Sequence, residues 1–232
     1  MNYFFLPGAR LGTCVLGEEE HHHATRVLRL KTGDPIFVLD GAGHLFTGNL
    51  ESVGKKESSV HLISVEFTEP DSHRFHLAIS PTKTSERMEW MVEKAVELGL
   101  DELSFVFCTR TERSRINEER IKKIMVSAMK QSGRQYLPLL NPPCSFEDFL
   151  KTGVSGQKYI ARPGGEDFRG LKTVQDRVVL LVGPEGDFTP EEAITALENG
   201  FKPLDLGKNR LRTETAGLAG VCLFKLGGVK LI

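Results

Sequence analysis

Val178-Val179-Leu180-Leu181-Val182-Gly183-Pro184-Glu185-Gly186-Asp187-Phe188, with Pro203-Leu204-Asp205-Leu206-Gly207-Lys208-Asn209-Arg210-Leu211-Arg212-Thr213-Glu214-Thr215-Ala216 a short way on, decides how this chain is read. Each stretch begins as an apolar run of strand length and breaks into a glycine-bearing loop, and each loop leads into a helix-like segment. In an open α/β sheet, ligands bind where such loops meet beyond the carboxyl ends of the strands. Glycine allows positive φ and lets a ligand approach the backbone closely. The pair of loops therefore predicts a small-molecule site.

The loops are not phosphate cradles. Neither carries the Lys-Ser or Lys-Thr pair that closes a P-loop, nor a G-x-G-x-x-G opening a helix. Pro184 removes an N–H donor that would hold an anion, and Glu185 adds a carboxylate. An acid with open carbonyls suits a ligand bearing ribose hydroxyls, an amine and a positive centre. S-adenosylmethionine has all three.

These residues resemble a known family. Leu181 to Gly186, and Leu206-Gly207 with Leu211 to Ala216, are similar to the SPOUT methyltransferases, and more narrowly to the bacterial 16S ribosomal RNA uracil-N3 methyltransferases. The likeness extends to His22-His23-Ala24-Thr25-Arg26-Val27-Leu28-Arg29-Leu30-Lys31-Thr32-Gly33-Asp34 near the amino terminus. It extends also to Glu93-Lys94-Ala95-Val96-Glu97-Leu98-Gly99 and Gln131-Ser132-Gly133-Arg134 in the middle. Three departures stand out: Asp187 occupies the place of a second glycine, Lys130 that of a glutamate, and Lys208-Asn209-Arg210-Leu211 replaces a run with arginine second and isoleucine third.

The resemblance implies an α/β fold of SPOUT type, a parallel sheet with a carboxyl-terminal trefoil knot, preceded by a small PUA-like β-barrel. It places the RNA-binding barrel at 1–70 and the methyltransferase domain at 74–232. S-adenosylmethionine would be held by Leu181, Val182, Gly183, Pro184, Glu185 and Gly186 from one loop. Leu206, Gly207, Leu211, Arg212, Thr213 and Ala216 would hold it from the other. The implied substrate is a uridine of 16S rRNA in the 30S subunit, and the implied assembly is a homodimer. Arg26, Arg29, Gln131, Ser132 and Arg134 would touch the RNA.

Uracil N3 carries a proton at neutral pH, so methylation there requires its removal or stabilisation of the anion. Arg212 suits the second task, because guanidinium offers fixed donors and stays charged. Glu185 and Glu214 are candidates for the base, or for orienting Arg212. Thr213 reads as a helix N-cap with Glu214 in the first turn. The residues leave open a methyltransferase acting on ribose 2′-hydroxyl or another base, and a non-catalytic RNA-binding assembly factor.

Charge neither demands nor excludes RNA. The 232 residues carry 30 basic and 31 acidic side chains, which argues against wholesale coating of nucleic acid. Between Arg110 and Arg134, however, eight basic residues face three acidic ones, a net of +5. Arg110 and Arg113 open this segment and join the RNA candidates. Cys14, Cys108, Cys144 and Cys222 lie far apart without C-x-x-C spacing, so no disulfide framework or zinc site is expected. His21-His22-His23 reads as surface or domain packing rather than a metal site, and Phe4, Phe5 and Trp90 read as packing rather than stacking platforms. No signal peptide or membrane span is visible, which points to a cytoplasmic protein.

Hydrophobic rhythm divides the chain near residue 70. Before it come a helix over 18–30 and strands at 35–40, 44–53 and 58–66. After it, strands and helices alternate: strands at 75–79, 103–107, 159–161, 178–182 and 204–206, and helical stripes through Met88 to Val96 and Ile121 to Ala128. A helix over 190–198 and a last one from Thr213 to Leu226, capped by Gly227-Gly228, complete the pattern.

Overall fold

A computed structural model describes residues 2–167, 171 and 176–226. The expected cap at Gly227-Gly228 lies outside them. The chain divides into two compact units, Met1–Pro70 with Val126–Leu137, and Asp71–Met125 with Pro138–Ile232. Residues 126–137, expected in the methyltransferase domain, group by contact with the first unit.

The first unit is built on β1 (Tyr3–Phe5), β2 (Gly12–Leu16), helix α1 (Glu18–His22), β3 (Pro35–Leu39), β4 (His44–Val53) and β5 (Ser58–Phe67). The strands form one sheet in the order β1-β3-β4-β5-β2, with β1 and β2 at its ends. Only the β1–β3 pair is parallel. Alternation along β4 sends Phe46 and Leu50 inward to meet Phe4, Leu16, Ile36, Val38, Val60 and Leu62. The β4–β5 register shifts at Thr47/Gly48 and at Leu50/Ser52. A Cβ on Gly48 would fall 2.1 Å from the His61 carbonyl oxygen, so this crossing requires glycine. Such bulges bend a sheet.

The expected helix over 18–30 is shorter. After α1 the backbone widens into a π turn over His23–Val27, and Arg29 closes it in the left-handed region at φ 55°. The widened turn buries Ala24 in the core, with Leu28 and Leu30 packed against it. Burial of these apolar groups prevails over regular helical bonding. Lys130, the departure noted above, bonds Glu20 at 2.6 Å, with both side chains largely buried.

The second unit contains β6 (Arg74–Ile79), α2 (Ser85–Glu97), β7 (Glu102–Phe107) and the start of α3 (Glu118–Ser132). It continues with β8 (Leu139–Leu140), β9 (Cys144–Ser145), α4 (Phe146–Lys151), β10 (Gln157–Asp167), β11 (Arg177–Val182), α5 (Pro190–Glu198), β12 (Lys202–Asp205) and α6 (Thr213–Val221). Its strands are parallel, in the order β12-β10-β11-β6-β7-β8, with β9 also on β7. β6, β7 and β11 are buried along most of their length and mainly apolar, as strands covered on both faces must be, with His76 and Ser104 the polar side chains inside. The order reverses between β6 and β11, where Ile79 pairs with Val182. The crevice beyond that pair is the topological switch point of the sheet.

Helix α6 is seated on β6, β11 and α2. Its close fit depends on missing side chains: a Cβ on Gly217 would come 2.9 Å from Ile79, and one on Gly220 2.3 Å from Leu180. The expected final helix over 213–226 becomes α6 plus a π turn over Cys222–Leu226. Lys225 in that turn is buried and donates to Asp71 (2.5 Å), Asp101 (3.0 Å) and the His73 carbonyl (2.7 Å). No helix among the described residues is long and apolar enough to cross a membrane.

Candidate functional site

The two glycine loops meet at the switch point. β11 ends at Val182, whose carbonyl accepts from Ser80 N (2.9 Å) as the loop after β6 departs. Gly183 and Pro184 are buried, and a Cβ on Gly183 would press on Phe188 at 2.9 Å. Pro184 to Asp187 then turn sharply, closed by Asp187 N to Pro184 O at 3.0 Å. Asp187 adopts φ 61°, which explains why glycine suits this place, and its Oδ1 accepts from Phe188 N (2.8 Å).

The second loop begins as Asp205 Oδ1 accepts from Gly207 N (2.9 Å) and Oδ2 from Gly164 N (3.0 Å). Gly207 sits at φ 125°. The loop returns to the first through two bonds. Thr213 Oγ1 donates to the Gly183 carbonyl at 3.0 Å, in a buried position, and Arg210 donates to the Glu185 carbonyl at 3.3 Å. Thr213 is therefore not the N-cap read from the sequence. Arg212 holds the cap position without a side-chain capping bond, and Thr213, one residue later, ties the loops together.

The three catalytic candidates have separate environments. Arg212 is exposed. Glu185 is exposed, and its Oε1 accepts from Lys83 N at 3.2 Å; it does not orient Arg212 here. Glu214 is buried in the first turn of α6, where the helix dipole favours a carboxylate. Its Oε1 lies 3.9 Å from Arg87 Nε, and its Oε2 is buried with no hydrogen-bond partner among the described residues. A buried carboxylate oxygen left unpaired is costly, so it fits a ligand that brings a donor. Leu181, Val182 and Ala216 are buried, and Gly186, Leu206 and Leu211 line the loops at partial or full exposure.

The RNA candidates divide between the units. Arg26 and Arg29 are exposed on the first, which also holds Gln131, Ser132 and Arg134. Ser132 Oγ donates to the Ala128 carbonyl (2.7 Å), and Gly133 ends α3 at φ 69°. On the second unit, Arg113 Nε donates to the Arg115 carbonyl (2.7 Å), and Arg120 pairs with Glu89 (2.9 Å). Arg110 Nη1 donates to the carbonyls of Gly186 (2.8 Å) and Phe188 (3.4 Å). Several charges of the +5 segment are thus already engaged within the protein.

Sequence reasoning passed over Arg87, Lys83 and Thr109. It also passed over Glu192, although Thr189-Pro190-Glu191-Glu192 has capping-box spacing. The box forms, and Glu192 Oε1 further accepts from Thr109 N (2.7 Å) and Oγ1 (3.0 Å). His21 bonds Ser58 (2.8 Å), and no group of three His, Cys, Asp or Glu among the described residues could hold a metal ion. Burial pushes the Cys108 thiol up to about 12, which leaves it unreactive. Phe4 is buried as expected, but Trp90 is 50% exposed on α2 and is not core packing.

Residues 69–225 match the family model for the RNA methyltransferase domain, and residues 16–63 match the RNA methyltransferase PUA domain. A relative from Synechocystis, ribosomal RNA small subunit methyltransferase E, is 31% identical over 88% of this chain and 70% of its own length. A crystal structure of a probable rRNA-methyltransferase from Porphyromonas gingivalis superposes with a TM-score of 0.86 at 38% identity, covering 95% of each chain. The ribosomal RNA small subunit methyltransferase E of Neisseria gonorrhoeae, solved bound to S-adenosyl methionine, gives 0.87 at 30% identity, covering 96% of this chain and 95% of that one.

Proposed function

This chain belongs to the RNA methyltransferase family, with a PUA domain ahead of the methyltransferase domain, and from that membership we propose that it methylates N3 of a uridine in 16S rRNA, using S-adenosylmethionine. The observation that carries the reading is Glu214 Oε2, buried beside the joint of the two glycine loops and without a hydrogen-bond partner among the described residues. The donor set fits the cofactor: two loops of exposed and buried backbone, an acid and no phosphate cradle. Leu181 to Gly186 and Leu206 to Ala216 would hold it.

Bound there, S-adenosylmethionine supplies an electrophilic methyl group. The protein's residues do the rest by positioning and charge. Arg212, exposed at the start of α6, stabilises the negative charge that spreads onto uracil O2 and O4 as N3 loses its proton. Glu214 is the better base of the two acids, because Glu185 is engaged by Lys83 N. Arg87, 3.9 Å from Glu214, supplies a nearby positive charge. A base within structured RNA must leave its stack to react, and Arg26, Arg29, Gln131, Ser132, Arg134 and Arg113 are the side chains to grip the displaced strand.

The reading includes a homodimer, the 30S subunit as substrate, a cytoplasmic location, closure of the first sheet into a barrel and a trefoil knot. The bulges in β4–β5 support closure. The path of the chain supports the knot: it leaves β11, passes to the far edge at β12 and returns to the centre as α6. The test is nucleoside mass spectrometry of small-subunit RNA incubated with the protein and S-adenosylmethionine. N3-methyluridine is expected. A ribose-methylated or other modified base would refute the position, and no product with wild-type protein on either naked RNA or 30S subunits would refute the activity.

A further inference from the structure

Arg110 was expected on RNA from sequence alone, yet its side chain runs along the first glycine loop. A Cβ added to Gly186 would lie 3.3 Å from both Cβ and Cδ of Arg110, so the aliphatic stem packs against that glycine. The guanidinium then reaches the carbonyls of Gly186 and Phe188. The preceding residue, Thr109, donates twice to buried Glu192, whose other oxygen accepts from Thr189 N at 2.8 Å. Two consecutive residues after β7 thus fasten the end of the Gly183–Phe188 loop and the start of α5. The loop between them contains a residue in the left-handed region, Asp187, a conformation that costs free energy in a residue other than glycine and that surrounding contacts help to hold.

We propose that Arg110 is a positioning residue for the cofactor loop rather than a phosphate contact. The proposal rests on the S-adenosylmethionine reading of this site. Arg110 acts through Gly186 and Phe188: it holds their carbonyls in place and so keeps the Gly183–Gly186 backbone in the shape that accepts the ligand. Affinity for the cofactor depends on it, whereas the charge on the reacting base is handled by other groups.

Titration calorimetry of S-adenosylmethionine and its demethylated product into wild type, Arg110→Ala and Arg110→Lys tests this, alongside steady-state kinetics and RNA affinity across salt concentrations. Arg110→Ala is expected to weaken cofactor binding about tenfold and raise its KM by the same factor, the equivalent of one well-placed hydrogen bond to a charged group. Its kcat at saturating cofactor should stay within about twofold of wild type, as uniform binding loss requires. Arg110→Lys should recover part of the affinity, since an ammonium reaches one carbonyl but lacks the planar fork. Unchanged cofactor affinity, with weaker RNA binding and a salt slope reduced by about one, would make Arg110 a phosphate contact and overturn the proposal. Wild-type protein that binds no S-adenosylmethionine would overturn the cofactor reading itself, a result distinguishable because it precedes any variant.

Discussion

Acid should loosen the second unit through His76, which lies far from the glycine loops in the chain and is 1% exposed. The ring sits on β6 with Nε2 2.8 Å from Ser104 Oγ and Nδ1 3.5 Å from Glu102 Oε1. Asn141 donates to both Ser104 and Glu102, Arg177 donates to Glu102 at 2.6 Å, and Phe149 meets the ring edge-on. Burial depresses the imidazole pKa from 6.5 to about 4; the Glu102 charge opposes this and Arg177 adds to it. The folded ring therefore stays neutral while the unfolded ring takes a proton below pH 6.5. Stability from this group is complete above pH 6.5 and is lost as pH falls toward 4. Linkage puts the loss at about 2 kcal/mol by pH 5 and about 3 kcal/mol once both states are protonated. Urea unfolding of wild type and His76→Gln at pH 7.5, 6, 5 and 4.5 isolates the group, because carboxylate effects are common to both chains. Relative to the variant, wild type should lose these amounts on acidification. Parallel curves would refute the reasoning and mean that the folded ring protonates in place, paired with Glu102.

Arg212→Ala should keep cofactor affinity yet lose about 100-fold or more in single-turnover rate on 30S subunits, with Arg212→Lys recovering only part; a near-normal rate would show that another cation, not Arg212, stabilises the charge. At Asp187, φ 61° and the bond to Phe188 N oppose each other. Asp187→Ala should cost about 1–2 kcal/mol in urea unfolding, and Asp187→Gly should recover most of it. Lys225→Met removes the buried cation beside Asp101, and a loss of about 3 kcal/mol is expected by the same assay; a neutral result would show that Arg74, 3.9 Å from Asp101 Oδ1, and the Phe75 N–H, which donates to Oδ2 at 2.8 Å, suffice for that carboxylate.

The strands were legible because parallel strands covered on both faces carry unbroken apolar runs, and Val178 to Val182 is such a run. The loops were legible because backbone that must bend sharply is written in glycine and proline. Asp187 shows the limit of that code: aspartate tolerates the left-handed region, so the turn persists without its expected glycine. The π turn after α1 carries no such mark, since Ala24, Leu28 and Leu30 fit an ordinary helix equally well until the core is known. Partners far apart in sequence were the least legible. Glu20 with Lys130, Arg110 with Gly186 and Arg87 with Glu214 depend on topology, and a charged side chain looks alike whether it meets solvent, RNA or a carbonyl. Hence the +5 segment read as a surface for RNA, while several of its members are spent within the protein.

The bond from Thr213 Oγ1 to the Gly183 carbonyl spans thirty positions of the chain. One wall of the site thus belongs to a helix that must first dock, and any opening of that helix breaks the wall. A ligand that contacts both loops binds only the docked form. At a hundredfold excess over its Kd it would add about 2.7 kcal/mol to the cost of opening α6. Amide exchange along 213–221 should then slow about a hundredfold with ligand present, making the helix a gauge of occupancy that needs no RNA and no turnover.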